Sequence, residues 1–315
     1  MRKNITFCLC FIFLIVHAAF SQQDLSAIVD ENAPKEPSER VSATFKGYKI
    51  INAQTIETAK KRNLFFNIAH RFGDIGGIGG GAHSLYGFDV STDIVFSFDY
   101  GITDNLQIGI GRAKGIQPYT ELYDGNIKYK LLEQTVDDKM PVSVSLYGIA
   151  GISGRRPSID TTSDAAFDDL TQRTSYVTQA IIARKFSQRI SFEVLPTWVH
   201  RNYVIFGDKN DFFSLGIGGR AKLTKRFALI FDYFHNFSSF QEDAVDANGK
   251  TVFFDPLSVG VEIETGGHVF TLSFTNSTGI LENSWLPETR SNWLDGQFRF
   301  GFNISRNFVI GGKSW

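Results

Sequence analysis

One stretch near the end of the chain alternates apolar and polar residues: Gln297-Phe298-Arg299-Phe300-Gly301-Phe302-Asn303-Ile304. Successive side chains of a β-strand point to opposite faces, so the three phenylalanines and Ile304 share one face and the polar residues share the other. This period of two predicts a strand with one apolar and one polar face. Because the same pattern recurs along most of the chain, the fold is predicted to be all-β.

The composition limits the class of protein. The chain has 315 residues, and one barrel of this length is as plausible as two smaller domains. Phenylalanine (30 residues) and glycine (29 residues) are both abundant, which suits large side chains on an exposed apolar surface and glycine at turns. The net charge of -1 argues against a nucleic-acid-binding protein, for which a basic surface is expected.

Residues 1–21 have the features of a secretory signal peptide. Arg2-Lys3 supplies the positive start, an apolar run follows, and Ala19-Phe20-Ser21 provides a cleavage site between small residues. Both cysteines, Cys8 and Cys10, lie within this segment. The mature chain is therefore expected to have no thiol chemistry, no disulfide and no cysteine metal ligand.

Residues 22–62 are predicted to be a periplasmic leader. The part from 22 to 40 is rich in acidic residues and proline and reads as a mobile segment. The part from 41 to 62 is more apolar and is a candidate for a plug hairpin under a barrel. No later run of about 18 apolar residues occurs, so no transmembrane helix is expected. A membrane location then requires a closed barrel, because an open sheet would leave backbone groups unpaired in lipid.

Twelve segments have the pattern of strands. They define a predicted barrel over residues 63–304, followed by a tail over 305–315. The strands are predicted at residues 64–71, 92–100, 105–111, 125–132, 142–151, 174–184, 189–200, 211–223, 227–236, 257–264, 269–276 and 293–304.

The links between these segments support the barrel. Four of them, at 102–106, 186–190, 223–227 and 304–308, share one form: an apolar residue, Ser or Thr, two polar residues, and an apolar residue. The hydroxyl can bond the local backbone, which suits a tight reversal. Short links follow the even strands and long links follow the odd strands. This alternation predicts a transmembrane, antiparallel, up-and-down β-barrel of about twelve strands, with short periplasmic turns and long outer loops.

Charged residues fall on the faces opposite the apolar rows. In a soluble barrel the apolar rows would point inward, whereas in a membrane barrel they face lipid and the charges line the lumen. The signal peptide, the number and length of the strands, and the loop asymmetry favour the membrane barrel. The charged residues predicted to face the lumen are Asp93, Asp99, Lys128, Lys130, Glu193, Arg220, Lys222, Asp232, Glu262, Glu264 and Arg299.

These lumenal charges leave two interpretations of the interior open. Acids and bases are mixed strand by strand, as with Glu193 beside Arg220 and Lys222, and opposite charges on neighbouring strands can pair. A selective ion channel more often has an excess of one sign. The interior is therefore either a lumen braced and closed by ion pairs or an open passive pore.

Five residues are predicted at the outer rim: His70, Arg71, His200, Arg201 and His235. Alternation puts the three histidines on the apolar face, and strands 1 and 7 of twelve lie on opposite walls, so no shared metal site is predicted. A lipid-facing hydrolase, like an outer-membrane phospholipase, is the enzymatic alternative. It needs a histidine, a serine and a third polar group on one outward patch, and the sequence has the residue types without a recognisable arrangement.

Several motifs resemble a known family. They are Thr44-Phe45-Lys46, His70-Arg71-Phe72-Gly73, Tyr100-Gly101-Ile102-Thr103-Asp104, His200-Arg201-Asn202 and Leu223-Thr224-Lys225-Arg226. With them, the chain from about residue 44 to 304 resembles the membrane-bound beta-barrel domain family of Gram-negative bacteria. The resemblance implies an outer-membrane barrel, and it brings no catalytic or ligand-binding residues.

The predicted function is non-enzymatic. The chain is expected to be a pore or transporter for a small solute, or a closed barrel that serves as a scaffold, in the outer membrane and without a cofactor. Its expected partners are outer-membrane lipid, the barrel-assembly machinery during biogenesis, and a small solute or periplasmic protein. No nucleic acid is expected among them.

Overall fold

The computed structural model of the protein describes residues 38–115, 121–160, 162–163, 165–265 and 267–310. The predicted signal peptide, most of the leader and the end of the predicted tail lie outside the described residues. In the part of the chain that the structure describes, helices are too short or too polar to cross a membrane.

Twelve strands form one closed antiparallel barrel, as the sequence predicted. The strands follow one another around the barrel in chain order, and β1 pairs with β12 to close it. Closure gives every strand two hydrogen-bonded neighbours, so no edge is left unpaired. The strands are β1 (Asn63–Asp74), β2 (Ser91–Gly101), β3 (Leu106–Gly115), β4 (Glu121–Leu132), β5 (Ser143–Ser153), β6 (Thr174–Lys185), β7 (Ile190–Arg201), β8 (Asp211–Lys222), β9 (Phe227–Phe237), β10 (Leu257–Thr265), β11 (His268–Thr275) and β12 (Arg299–Val309).

Among the described residues of the outer links, two segments form short α-helices. Helix α1 (Ser239–Asp243) follows β9, and helix α2 (Glu282–Trp285) lies between β11 and β12. All four residues of α2 are buried, although the helix belongs to a link that was predicted to be an outer loop.

The two faces of the barrel wall differ as expected for a membrane protein. Apolar side chains on the outside are widely exposed, with Ile110 at 66% and Phe213 at 63%. Charged side chains on the inside are buried, with Lys128 and Glu193 both at 0%. The apolar rows therefore face outward and the charges face the lumen, which is the membrane arrangement and the reverse of a soluble barrel.

Three of the four Ser/Thr links are tight turns held by the predicted hydroxyl. The side-chain oxygens of Thr103, Ser187 and Thr224 accept hydrogen bonds from backbone N–H groups three residues later, at 2.9, 3.1 and 3.1 Å. Each bond satisfies a backbone donor within the reversal, which explains the recurrence of this form between paired strands.

The fourth of these links is not a turn, and the predicted bounds of the last strand are wrong. β12 runs from Arg299 to Val309, and its residues 305–307 pair with β1. The segment predicted to begin this strand instead forms a 3-10 turn over Trp293–Asp295, which ends at Gly296 with φ of 74°. The periplasmic half of β1 needs a partner to close the barrel, and residues 305–309 provide it.

The link between β3 and β4 is shorter than predicted. β3 continues to Gly115 and β4 begins at Glu121, so residues 112–115 and 121–124 belong to strands. Residues 112–124 were predicted to be one of the long outer loops. Arg112 and Lys114 point outward, and both lie within 4.0 Å of Glu121 at the outer end of the barrel. The strict alternation of long and short links therefore fails at this position.

Candidate functional site

The lumen is occupied by the segment immediately before β1. Residues 44–59, called the plug below, lie inside the barrel, and Phe45, Ile50, Ile51 and Ile56 are each no more than 3% exposed. The plug turns back on itself as a hairpin, with a bridge between Lys49 and Gln54. A hairpin in the lumen was one of the interpretations of residues 41–62.

An aspartate of the wall holds the tip of the plug. The Oδ2 atom of Asp232, on β9, accepts hydrogen bonds from the backbone N–H groups of Ile51, Asn52 and Ala53 at 3.1, 2.7 and 3.1 Å. Hydrogen bonds to a charged acceptor are stronger than neutral ones. Asp232 is 0% exposed, so water does not compete for these bonds.

A lysine of the wall holds the plug from another side. The Nζ atom of Lys128, on β4, donates to the backbone carbonyls of Tyr48, Thr55 and Glu57 at 3.3, 3.0 and 3.3 Å. The same atom lies 5.9 Å from the ring centre of Tyr48, and burial raises the pKa of that phenol above its ordinary value. The plug thus gives its N–H groups to a carboxylate and its carbonyls to an ammonium group.

The link between β11 and β12 enters the lumen from the opposite end. Residues 277–289, called the inward loop below, include Glu282, Asn283, Trp285 and Leu286, all of which are 0% exposed. Trp285 packs edge-on against Phe234 of β9, with 4.7 Å between ring centres. The apolar core of the molecule therefore lies inside the barrel, between the wall, the plug and the inward loop.

The plug and the inward loop meet near the middle of the lumen. Lys49 Nζ lies 2.6 Å from Glu282 Oε1, and Gln54 donates to the same oxygen at 2.9 Å. Arg71 of β1 joins both segments, because it donates to the side chain of Asn52 in the plug and to the carbonyls of Ser277 and Gly279 in the inward loop. In this conformation the lumen is closed from both ends.

The structure places the predicted lumenal charges on the inner face of the wall. Nine of them are buried, and Lys222 and Glu264, near the periplasmic end, are partly exposed. Arg220 lies 2.7 Å from Glu262 and 2.8 Å from Glu264, both on β10, two strands away. The sequence had suggested that Arg220 pairs with Glu193 on the neighbouring strand β7. That ion pair does not form. Neither carboxylate oxygen of Glu193 has a hydrogen-bond partner among the described residues.

Several functional positions were missed at the sequence level. Asp124 was assigned to a loop but lies on the inner face of β4 and is 8% exposed. Glu282 was assigned to an outer loop and Lys49 to the leader. Alternation along β4 would have found Asp124, and the segment that contains Lys49 was a candidate for a plug hairpin. Nothing in the local sequence of Glu282 indicates that its loop folds into the barrel.

A small cavity remains between the plug, the inward loop and the part of the wall that includes β1, β2, β4, β11 and β12. Lys49, Asp99, Asp124 and Asn126 are among the residues that line it, and it has room for a few water molecules. The Oδ2 atom of Asp124 and the Oδ1 atom of Asn126 have no hydrogen-bond partner in the described part of the protein. The cavity is thus lined partly by polar groups, including acceptors that the described residues do not satisfy.

The predicted rim residues do not all lie at the rim. Arg71 is 4% exposed and lies inside the barrel, because it occupies the inward position of the alternation on β1. Arg201 also points inward and pairs with Asp208 at 2.7 Å. His200 and His235 lie on the outer surface, where their Nδ1 atoms contact Asp211 at 2.8 Å and Asp255 at 2.9 Å.

The histidines do not converge on one site. β1 and β7 lie on opposite sides of the barrel, so His70 and His200 are far apart. Within the described residues, no three His, Cys, Asp or Glu side chains are grouped to hold a metal ion. One serine–histidine contact on the outer surface was not predicted from the sequence. Ser91 Oγ lies 3.0 Å from His70 Nε2. The Nδ1 atom of His70 has no partner among the described residues.

Comparison with solved structures gives similar barrels of low sequence identity. The NanC porin is 9% identical, with a TM-score of 0.46 over 78% of this chain and 100% of that chain. The COG4313 outer membrane channel from Pseudomonas putida F1 is 11% identical, with a TM-score of 0.43 over 80% of this chain and 98% of that chain. LpxR from Salmonella typhimurium is 12% identical, with a TM-score of 0.37 over 79% of this chain and 100% of that chain.

Comparison at the level of sequence is more specific. No curated protein shows significant similarity to this chain. Residues 45–308 match the family described as Membrane bound beta barrel domain. They include the plug except its first residue and all twelve strands except the last residue of β12. The family resemblance that the sequence motifs had suggested is thereby confirmed, and the chain belongs to this family of membrane-bound β-barrels.

Proposed function

We propose that the protein is a gated transporter of the outer membrane, in which the plug must move before a solute can pass. The signal peptide at residues 1–21 delivers the chain to the periplasm, and the barrel-assembly machinery inserts it into the membrane. A small polar solute is the transported species, since charged side chains such as Lys128, Glu193 and Asp232 are on the inner face of the wall. The protein has no catalytic role in this proposal.

The observation that carries the proposal is the way the plug is held. Asp232 and Lys128 make six of its backbone hydrogen bonds with the wall, and the neutral side chains of Gln107 and Ser145 make one each. When the plug moves, water can replace these hydrogen bonds. Both the wall side chains and the backbone groups of the plug are then solvated. The plug also has an apolar side in the core of the molecule, and exposing that side to water is a cost of moving the plug.

The unsatisfied acceptors of the interior also fit a gate better than a permanent core. Buried polar atoms normally have partners, and each exception calls for an explanation. In the closed state, the described residues leave oxygens of Asp124, Glu193 and Glu282 without partners. An open, hydrated lumen would solvate them, which lowers the free energy of the open state relative to the closed one.

Single-channel recording tests the gate. Wild-type protein inserted in a planar lipid bilayer is expected to be mostly silent. A variant lacking residues 44–58 is expected to show frequent conducting events, because the inward loop remains but has lost its contacts with Lys49 and Gln54. Heat-modifiable migration on gels and trypsin resistance of the barrel establish that the variant is folded. A folded, inserted variant that stays silent would contradict the proposal and favour a closed scaffold.

A second variant covers the case in which the deletion prevents folding. The double substitution Asp232→Asn and Lys128→Met retains the plug and weakens both of its ionic anchors. It is expected to increase the fraction of time spent in conducting states. The matched control is Arg184→Ala, which removes an exposed arginine that pairs with Asp138 outside the lumen.

One observation supports the hydrolase as a second candidate. The contact between Ser91 and His70 places a nucleophile and a base together on the outer surface, next to Phe72 and Phe302, whose ring centres lie 4.4 and 5.6 Å from that of the histidine. A triad also needs a group at His70 Nδ1 to orient the ring. None of the described residues supplies it, which is why we favour the transporter.

Lipid hydrolysis distinguishes the two candidates directly. Purified protein is incubated with phospholipid vesicles, and released fatty acid is measured. Turnover that is lost in Ser91→Ala and His70→Ala would establish the hydrolase. Turnover lost instead in His200→Ala or His235→Ala would point to one of the other outer histidines. Absence of turnover in the wild-type protein agrees with the transporter.

A further inference from the structure

A second cavity opens at the outer end of the barrel, away from the plug. Four links contribute to its walls: those between β5 and β6, β7 and β8, β9 and β10, and β11 and β12. The space between the walls is about 1310 Å³ with its open mouth included. This is large enough for a small organic molecule.

The described lining of this outer pocket is rich in arginine. Four arginines, Arg155, Arg173, Arg201 and Arg290, line it together with two carboxylates, Asp208 and Glu288. Arg201 lies 2.7 Å from Asp208, and Arg290 lies 2.8 Å from Glu288. These two pairs bring both of the described carboxylates of the pocket into contact with guanidinium groups.

Arg173 differs from these paired arginines. It donates to the backbone carbonyls of Ser153, at 3.2 Å, and Arg155, and among the described residues it contacts no carboxylate. Its guanidinium lies 5.1 Å from the ring centre of Phe167, which orients it without neutralising its charge. A guanidinium is always protonated, so the pocket holds at least this positive charge at any physiological pH.

Aromatic and hydroxyl groups complete the pocket. Phe167 and Tyr203 contact each other edge to face, with 5.5 Å between ring centres, and Phe240 lies on another wall. Thr174 and Ser175 add hydrogen-bonding groups at the start of β6. Rings of this kind pack against the apolar faces of cyclic molecules, while guanidinium groups bind carboxylate or phosphate through paired hydrogen bonds.

We propose that this outer pocket binds a small organic anion, a carboxylate or phosphate ester on a ring, from the outer side of the membrane. Arg173 binds the anionic group, and Tyr203 and Phe240 contact the ring. The pocket does not depend on movement of the plug. Binding and gating can therefore succeed or fail separately.

Binding to purified full-length protein in detergent tests this site. The probes are glucuronate, glucose 6-phosphate and neutral glucose, measured by isothermal titration calorimetry. At least one anionic probe is expected to bind roughly tenfold or more tightly than glucose, since hydrogen bonds to charged groups are stronger than those to neutral groups. The affinity should fall as salt is added. Equal binding of all three probes, or no binding of either anion, would overturn the proposal.

Variants connect the binding to the named residue. Arg173→Gln is expected to weaken binding of the anionic probe by about tenfold or more, and Arg173→Lys by less, because lysine keeps the charge without the paired donors. Arg290→Gln, an exposed position on another wall, gives a further test if Arg173→Gln disturbs the loop. Arg184→Gln, at the opposite end of the barrel, should bind like wild type. Unchanged affinity in folded Arg173→Gln would assign the binding elsewhere and refute the site.

Discussion

The Nζ atom of Lys49 lies 2.6 Å from the Oε1 atom of Glu282, and this pair joins the plug to the inward loop inside the barrel. The two residues belong to segments that enter the lumen from opposite ends. Glu282 is 0% exposed at its side chain, whereas Lys49 is 20% exposed. The pair therefore has one member that cannot be solvated and one that can.

This asymmetry predicts unequal effects of breaking the pair. Lys49→Met leaves a buried carboxylate without its cation and is expected to cost about 3–5 kcal/mol. Glu282→Gln removes the buried charge, keeps an acceptor for Gln54, and leaves a lysine that reaches water, so its cost should be smaller. Urea-dependent folding into lipid vesicles measures both values.

The control for this comparison is an exposed pair. Arg184 and Asp138 lie 3.1 Å apart at the periplasmic end, and Arg184→Ala is expected to cost no more than about 1 kcal/mol. Equal effects of Lys49→Met and Glu282→Gln would mean that the plug and the inward loop do not depend on this contact.

A second prediction concerns the fit of the plug against a glycine of β8. A Cβ atom at Gly218 would lie 2.5 Å from Cδ1 of Ile50, so a larger side chain there must displace the buried Ile50 side chain and thereby loosen the packing of the plug. Gly218→Val is expected to raise the frequency of conducting events in planar bilayers. Adding Ile50→Ala removes the obstructing atom and should restore closure.

The neighbouring glycine provides a matched control for that prediction. Gly219 faces outward, and a Cβ there would meet the ring of Phe231 on the lipid side. Gly219→Ala changes the same strand without touching the plug, so it should leave conductance unchanged. Equal conductance of the two glycine variants would show that the effect comes from the wall and not from the plug.

A third prediction tests the lipid-facing surface. Ile68 lies halfway along β1, between Phe96 and Ile304 on the neighbouring strands. Ile68→Arg is expected to destabilise the folded barrel by about 2–4 kcal/mol, as for a charge near the middle of the bilayer. Phe300→Arg should cost less, because Phe300 is near the outer end of β12 and the cost falls toward the interface. Vesicle-based folding titrations of both variants check this order.

The barrel could be predicted from the sequence because its rules are local. Alternation assigned Lys128 and Asp232 to the lumen and Ile110 and Phe213 to the lipid, and the hydroxyls of Thr103 and Thr224 marked the tight turns. Each of these inferences uses only a few neighbouring residues. The sequence also indicated that residues 41–62 were more apolar than the leader before them.

The contents of the lumen could not be predicted in the same way. Glu282 lies in a stretch with the composition of an outer loop, and its burial depends on Lys49 and Arg71, which are more than 200 positions earlier in the chain. The last strand was placed too early for a similar reason. Val309 belongs to β12 and Trp293 does not, because the residues that pair with β1 form this strand. β1 is at the other end of the sequence.

The last prediction concerns Asp232, which accepts three backbone hydrogen bonds from the plug. Asp232→Ala leaves three buried N–H groups without an acceptor, and each such group costs about 1–3 kcal/mol. We therefore expect the plug to leave its place and residues 44–59 to become accessible to added protease, while the strands remain protected. Asp232→Asn keeps one acceptor oxygen and should expose the plug less. Glu193→Gln is the control. Glu193 lies on β7, two strands from Asp232, and is equally buried, but it makes no hydrogen bond to the described residues of the plug. If the cleavage rate of the plug were the same in Asp232→Ala and Glu193→Gln, Asp232 would not be its anchor.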